Sequence, residues 1–219
     1  LGETRTASIS ARSAPLCRGR RALGNSAPAG YLSMMKRLWV LLLGLATACG
    51  EPMRGIEIED AEPAPALAFT AYDGSRVDVS AERGKVVLLY FGYTHCPDVC
   101  PTTLSDWARA RRALGARASQ VRFVFVSMDP DRDTPELAFK YAKQFDSSFV
   151  GVTGTSEELE ALKQAWRIAA YPEGDVRERN YTVAHPAHTF VVDRRGRLRF
   201  LYRPGVSGEE LARDLRRLL

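Results

Sequence analysis

This 219-residue sequence has no internal repeat, no apolar run long enough for an ordinary membrane-spanning helix, and no basic surplus outside its first fifty residues. The apolar stretch Leu38 to Ala48 is eleven residues with Gly44 inside it, against the ~20 that a spanning helix requires. The formal charge of +5 is a property of the leader: seven of the 31 Lys and Arg (Arg5, Arg12, Arg18, Arg20, Arg21, Lys36 and Arg37) precede Cys49, and Glu3 is the one acid there of 26. The remaining 24 bases face 25 acids, which removes the main support for a nucleic-acid-binding role. Also missing is any Cys-x-x-Cys pair; the two cysteines of the body, Cys96 and Cys100, are separated by three residues.

What is present begins with an export signal. Met34-Met35-Lys36-Arg37, the short apolar region and Ala46-Thr47-Ala48-Cys49 follow the order of a basic n-region, h-region and small-residue cleavage site, so residues 34–48 are expected to be a signal peptide. Residues 1–33 lie upstream of that signal, show no periodicity, and are expected to be a mis-called start or disordered. Small residues followed by Cys resemble the lipobox of bacterial lipoproteins, which makes Cys49 the expected lipidation site, although Leu45 stands one place too far back. Ala46-Thr47-Ala48 equally suits an ordinary signal peptidase. Residues 49–66, with Pro52, Pro63, Pro65 and several acids, have the composition of a tether and solvated linker, so the folded domain is expected over residues 67–219.

Within that domain strands alternate with helices. Lys85 to Phe91 and Val121 to Met128 read as strands buried on both faces. Helices are expected over 101–114, 134–145 and 156–168, a short strand over 149–153, and a hairpin of 189–193 and 198–202 before a last helix opening at Ser207. The expected class is α/β: a thioredoxin-like central sheet flanked by helices, with a C-terminal β-hairpin and helix.

Tyr93-Thr94-His95-Cys96-Pro97-Asp98-Val99-Cys100-Pro101 falls where the central strand ends and a helix starts, the place where α/β sheets carry their chemistry. Two cysteines at this spacing can reach one metal ion or form a disulfide. Each precedes a proline, so Cys100 is expected to cap the helix from outside it, with its thiol facing free amides and its pKa lowered. Soft thiolates with an imidazole suit copper as Cu(I) or Cu(II), and zinc would also fit. In a thioredoxin-like arrangement the loop before the 189–193 strand faces the cysteine loop, which makes His185 the third ligand candidate, with His188 a rival and His95 a minor candidate. Asp129-Pro-Asp131-Arg132-Asp133-Thr-Pro135 fails as a calcium loop, having Thr134 and Lys140 where Gly and Glu are needed. It reads as a loop capping the next helix through Asp133, and Met128 reads as core.

The segments Gly92 to Pro101, Ser127 to Pro135, and Tyr181 to His185 leading to Phe190-Val-Val-Asp193 resemble the Sco/SenC family of copper proteins, over about residues 67–219. The resemblance implies a membrane-attached domain on the outer, periplasmic or extracytoplasmic, face of the bacterial cell membrane. It implies copper ligation by Cys96, Cys100 and His185, a copper donor protein, and the copper-centre subunit of cytochrome c oxidase as recipient. Where the family commonly has Asp before the ligand histidine, this chain has Ala184. A metallochaperone without turnover is the expected function. A thiol-disulfide reductase keeping the oxidase cysteines reduced is the alternative, and a peroxiredoxin fits less well because the thiols here are paired.

Overall fold

The computed structural model describes residues 51–219; the signal, Cys49 and the stretch before them lie outside the described residues. Strands β1 (Ile56–Glu57), β4 (Val86–Gly92), β5 (Val121–Ser127), β6 (Val150–Val152), β9 (Thr189–Val192) and β10 (Leu198–Tyr202) form one sheet in the order β1-β10-β9-β4-β5-β6. The strands β4, β5 and β6 are parallel, whereas β9 runs against β4 and β10 against β9. Two small ribbons, β2 (Ala68–Thr70) with β3 (Arg76–Asp78) and β7 (Tyr171–Glu173) with β8 (Thr182–Ala184), stand apart from it. The helices are α1 (Val99–Leu114), α2 (Pro135–Phe145), α3 (Ser156–Trp166) and α4 (Gly208–Leu215).

The strand β4 is buried along its whole length because its alternate side chains feed two cores. Val86, Leu88 and Tyr90 join Leu104 and Trp107 of α1 and Leu211 and Leu215 of α4 on one face. Val87, Leu89 and Phe91 join Leu159, Leu162 and Trp166 of α3 on the other. Met128 is buried in this second core, as expected. Local signals agree with the packing: Thr155 and Ser207 each build a capping box at the start of α3 and α4, and Pro135 stands in the first turn of α2. Gly151 is required because a Cβ there would lie 1.9 Å from the Ala138 carbonyl oxygen of α2.

Two expectations need correction. The stretch expected to be a solvated linker is largely laid onto the domain. Ile56 and Glu57 pair with Leu201 and Phe200, the amide of Ile58 donates to Arg199 O and that of Ala64 to Gly196 O, and the Arg54 amide donates to buried Asp214 at 2.6 Å. Prolines and acids are what an edge strand carries when its side chains stay in water, so composition did not separate this edge from a free linker. Second, Thr134, not Asp133, caps α2, its side chain accepting from the Leu137 amide. Asp133 is turned the other way, into the site.

Candidate metal centre

The strand β4 delivers the chain to the cysteine loop at Gly92. A Cβ at this position would lie 2.8 Å from the Cys100 sulfur, so glycine is what lets that sulfur tuck in behind the strand. The helix α1 begins before Pro101, at Val99, with Asp98 as N-cap and no side-chain cap. Cys100 is thus inside the first turn and not its cap, and it is completely buried.

Cys96 stands outside the helix, before the Asp98 cap. The neighbouring Cys100 thiol above all, then His185 and the amides of Asp98 and Cys100, stabilise its thiolate and lower its pKa against the opposing effect of burial. Cys100, with its proton committed to Cys96 and no water around it, is pushed up from the usual thiol range. The lowered pKa expected for Cys100 therefore belongs to Cys96 instead. The helix amides do stabilise a thiolate, but the one they face belongs to the residue three before α1.

His185 follows β8 and completes the cluster. Its Nε2 lies 3.6 Å from Cys100 Sγ, and the ligand atoms of Cys96, Cys100 and His185 all lie within 4.8 Å of one another. Two metal–sulfur bonds of about 2.3 Å span at most about 4.6 Å, which is the scale of the cluster, so the donors can share one soft ion. The His185 ring packs edge-on against Tyr90 and Tyr93, at 5.8 and 5.7 Å between centroids. On its outer side an open groove of ≈540 Å³, lined in part by Trp166, Tyr171, Phe190 and Leu201, reaches the solvent. His188 is half-buried and outside the cluster. His95 is exposed and belongs to a different group with Asp129 and Asp133.

The two carboxylates of that second group are already engaged. Asp133 accepts from the Thr94 amide at 2.7 Å, from the Thr94 hydroxyl at 2.6 Å and from the Ser127 hydroxyl, and so fixes the loop leading to Cys96. Asp129 accepts from Arg132 Nε at 2.6 Å and from the Tyr181 hydroxyl at 2.6 Å. Arg132 in turn donates to the carbonyls of Tyr181 at 2.9 Å and Arg179 at 3.2 Å and lies over the Tyr181 ring, holding the segment that ends at His185. Burial and the Asp129 bond push the Tyr181 phenol up to about 12. The loop after β5 is thus the brace between the two halves of the site. Its alternating charges were visible in the sequence, but nothing local said which partners they would meet.

A thioredoxin-like sheet with a Cys-Cys-His cluster at the end of its central strand defines a metal-binding thiol protein. The SCO1/SenC family model matches residues 58–219, and the chain belongs to that family. It is 38% identical to apo Sco1 of Thermus thermophilus, whose structure it matches with a TM-score of 0.70 over 78% of this chain and 100% of that one. The copper-bound structure of ScoI from Bradyrhizobium japonicum matches at 34% identity and a TM-score of 0.63, covering 73% of this chain and 99% of that one. Among curated proteins, a SCO2-like protein of Rickettsia prowazekii is 32% identical over 130 residues, 59% of this chain and 63% of that protein. The human mitochondrial SCO1 homologue is 32% identical over 128 residues, 58% of this chain and 42% of that one. Across the SCO2-like proteins of four Rickettsia species the matched region spans 57 to 66% of their length.

Proposed function

We propose that this chain is an exported copper metallochaperone that binds one copper ion through Cys96, Cys100 and His185 and passes it to the binuclear copper centre of cytochrome c oxidase. The observation that carries the reading is the convergence of two sulfurs and one imidazole nitrogen within 4.8 Å, a donor set of soft ligands suited to copper. Cys96 has the lowered pKa and is the less buried of the two cysteines, so it meets incoming copper first. Cys100 joins by giving up its proton, and His185, beside the open groove, closes the set and is the ligand most easily withdrawn at handover. A donor protein on one side and the oxidase subunit on the other are the partners this requires, with no turnover of a substrate.

Copper titration of reduced protein tests the site: about one ion per chain is expected, with binding abolished in Cys96→Ser with Cys100→Ser and little binding by the oxidised form. His185→Ala should weaken Cu(II) more than Cu(I), because two thiolates satisfy Cu(I) whereas Cu(II) prefers further nitrogen donors. Unchanged binding by the double serine variant would refute the ligand set. The export and tether reading rests on the segment up to Cys49; mass spectrometry of membrane-extracted protein should find a mature chain starting at an acylated Cys49, and an unmodified start there would remove the lipid.

The low pKa of Cys96 also supports a second reading, thiol-disulfide reduction. The Cys96 thiolate would attack a partner disulfide, releasing one partner thiolate. The Cys100 sulfur, on losing its proton, would then displace the other, leaving a Cys96–Cys100 disulfide and a partner dithiol. Oxidase assembly that survives His185→Ala but fails with either cysteine variant would favour it.

A further inference from the structure

We propose that Tyr90 is the hydrogen-bond donor to the Cys100 sulfur when copper is bound, and that this bond sets the preference of the site between Cu(I) and Cu(II). The proposal rests on the copper reading above and concerns a residue outside its ligand set.

Tyr90 lies on β4 with no exposed surface, and its hydroxyl has no hydrogen-bond partner. An unsatisfied buried hydroxyl costs about 1–3 kcal/mol, and such groups in folded proteins commonly mark a functional site or an absent ion. The surroundings point to the site. A Cβ built at Gly92 would meet the Cys100 sulfur at 2.8 Å and the Tyr90 ring at 3.0 Å, so ring and sulfur flank one point. Cys100 and Thr103 are the side chains whose polar groups act on the hydroxyl. The ring also stands edge-on to His185, so Tyr90 borders two of the three proposed ligands.

In the metal-free arrangement the hydroxyl makes no hydrogen bond of normal geometry, and a neutral Cys100 thiol offers it only a weak acceptor. Once Cys100 is the anion that a metal requires, its sulfur becomes a strong acceptor, and charge-assisted bonds are about twice as strong as neutral ones. Donation to a ligating sulfur draws charge from it and tunes the metal's potential. The higher oxidation state depends more on that charge, so the bond favours Cu(I).

The test is Tyr90→Phe in the otherwise intact chain, with Thr103→Val as companion. Metal-free Tyr90→Phe should melt at the same temperature as the parent or higher, since it removes an unsatisfied group. Loaded with copper, it should show the thiolate-to-Cu(II) charge-transfer band at lower energy and a ratio of Cu(I) to Cu(II) affinity reduced ~10-fold, the size of one bond to a charged group. Thr103→Val should change neither. Identical spectra and affinity ratio in Tyr90→Phe would overturn the proposal while leaving the ligands in place. So would a shift produced by Thr103→Val alone, or a large loss of metal-free stability in Tyr90→Phe. Copper binding that survives loss of both cysteines would overturn the ligand reading, and this inference with it.

Discussion

The two halves of the metal centre are built in different ways. The cysteine half hangs from the middle of the sheet: β4 is buried throughout, Gly92 makes room for sulfur, and Cys100 sits in the first turn of a sixteen-residue helix packed on the core. The histidine half is carried by a thin ribbon whose strand β7 and following residues to Asn180 are exposed, and only Tyr181 and Val183 of the ribbon reach the core. Its position comes from outside itself, through Arg132 and Asp129 on the loop after β5. A rigid pair of sulfurs and a braced but peripheral imidazole suit the proposed role of holding a metal and passing it on, and under that proposal the brace is where release would be controlled.

Breaking the brace should have the largest effect. Arg132→Leu leaves Asp129 buried without its cation, and severing a buried ion pair this way costs about 3 kcal/mol or more. Urea denaturation should show that loss, with Cu(II) affinity falling because His185 is no longer held; a loss under ~1 kcal/mol with normal affinity would show that the ribbon positions itself. Asp133→Asn probes the other arm. It weakens the bonds to the Thr94 amide and hydroxyl, for about 1–2 kcal/mol. Faster alkylation of Cys96 should report the loosened loop, while the histidine half is undisturbed; an unchanged rate would place the rigidity elsewhere.

A pH series sharpens the contrast between the two sulfurs. Cys96, with its pKa lowered, has little proton to release on binding near neutral pH, whereas Cys100, with its pKa raised, must release one. Between about pH 7 and 9 copper affinity should therefore rise ~10-fold per pH unit. A slope of two would mean that both thiols are protonated in the free protein. The smallest effect is expected from His188→Ala, at a half-buried position outside the cluster. It should stay within ~0.5 kcal/mol in stability with copper affinity unmoved; a clear loss would make His188 the ligand in place of His185.

Much of this was legible in the residues. The buried strands over 86–92 and 121–127, the helices opening at Pro135, Ser156 and Gly208, and the final hairpin all follow from apolar runs, caps and turn residues acting over a few neighbours. The cysteine loop was recognisable because its spacing and its strand-to-helix position lie within one short segment. Elements whose partners are distant in sequence were hidden. The edge strand at Ile56 has exposed side chains, and the ribbon at Tyr171 and Thr182 is three residues on each arm, so neither writes a pattern of its own.

By itself the sequence determined the alternation of strands and helices, the place of the two thiols and the kind of metal they suit, since these depend on local propensity and side-chain chemistry. Tertiary structure alone decided which sulfur has the lowered pKa, because that depends on which of them is stabilised by the other thiol, by His185 and by the amides of Asp98 and Cys100. It also decided that Asp129, Arg132 and Asp133 brace both ligand loops, because a buried charge takes its role from the partners that folding brings to it across the chain, here Thr94 on one side and Tyr181 on the other.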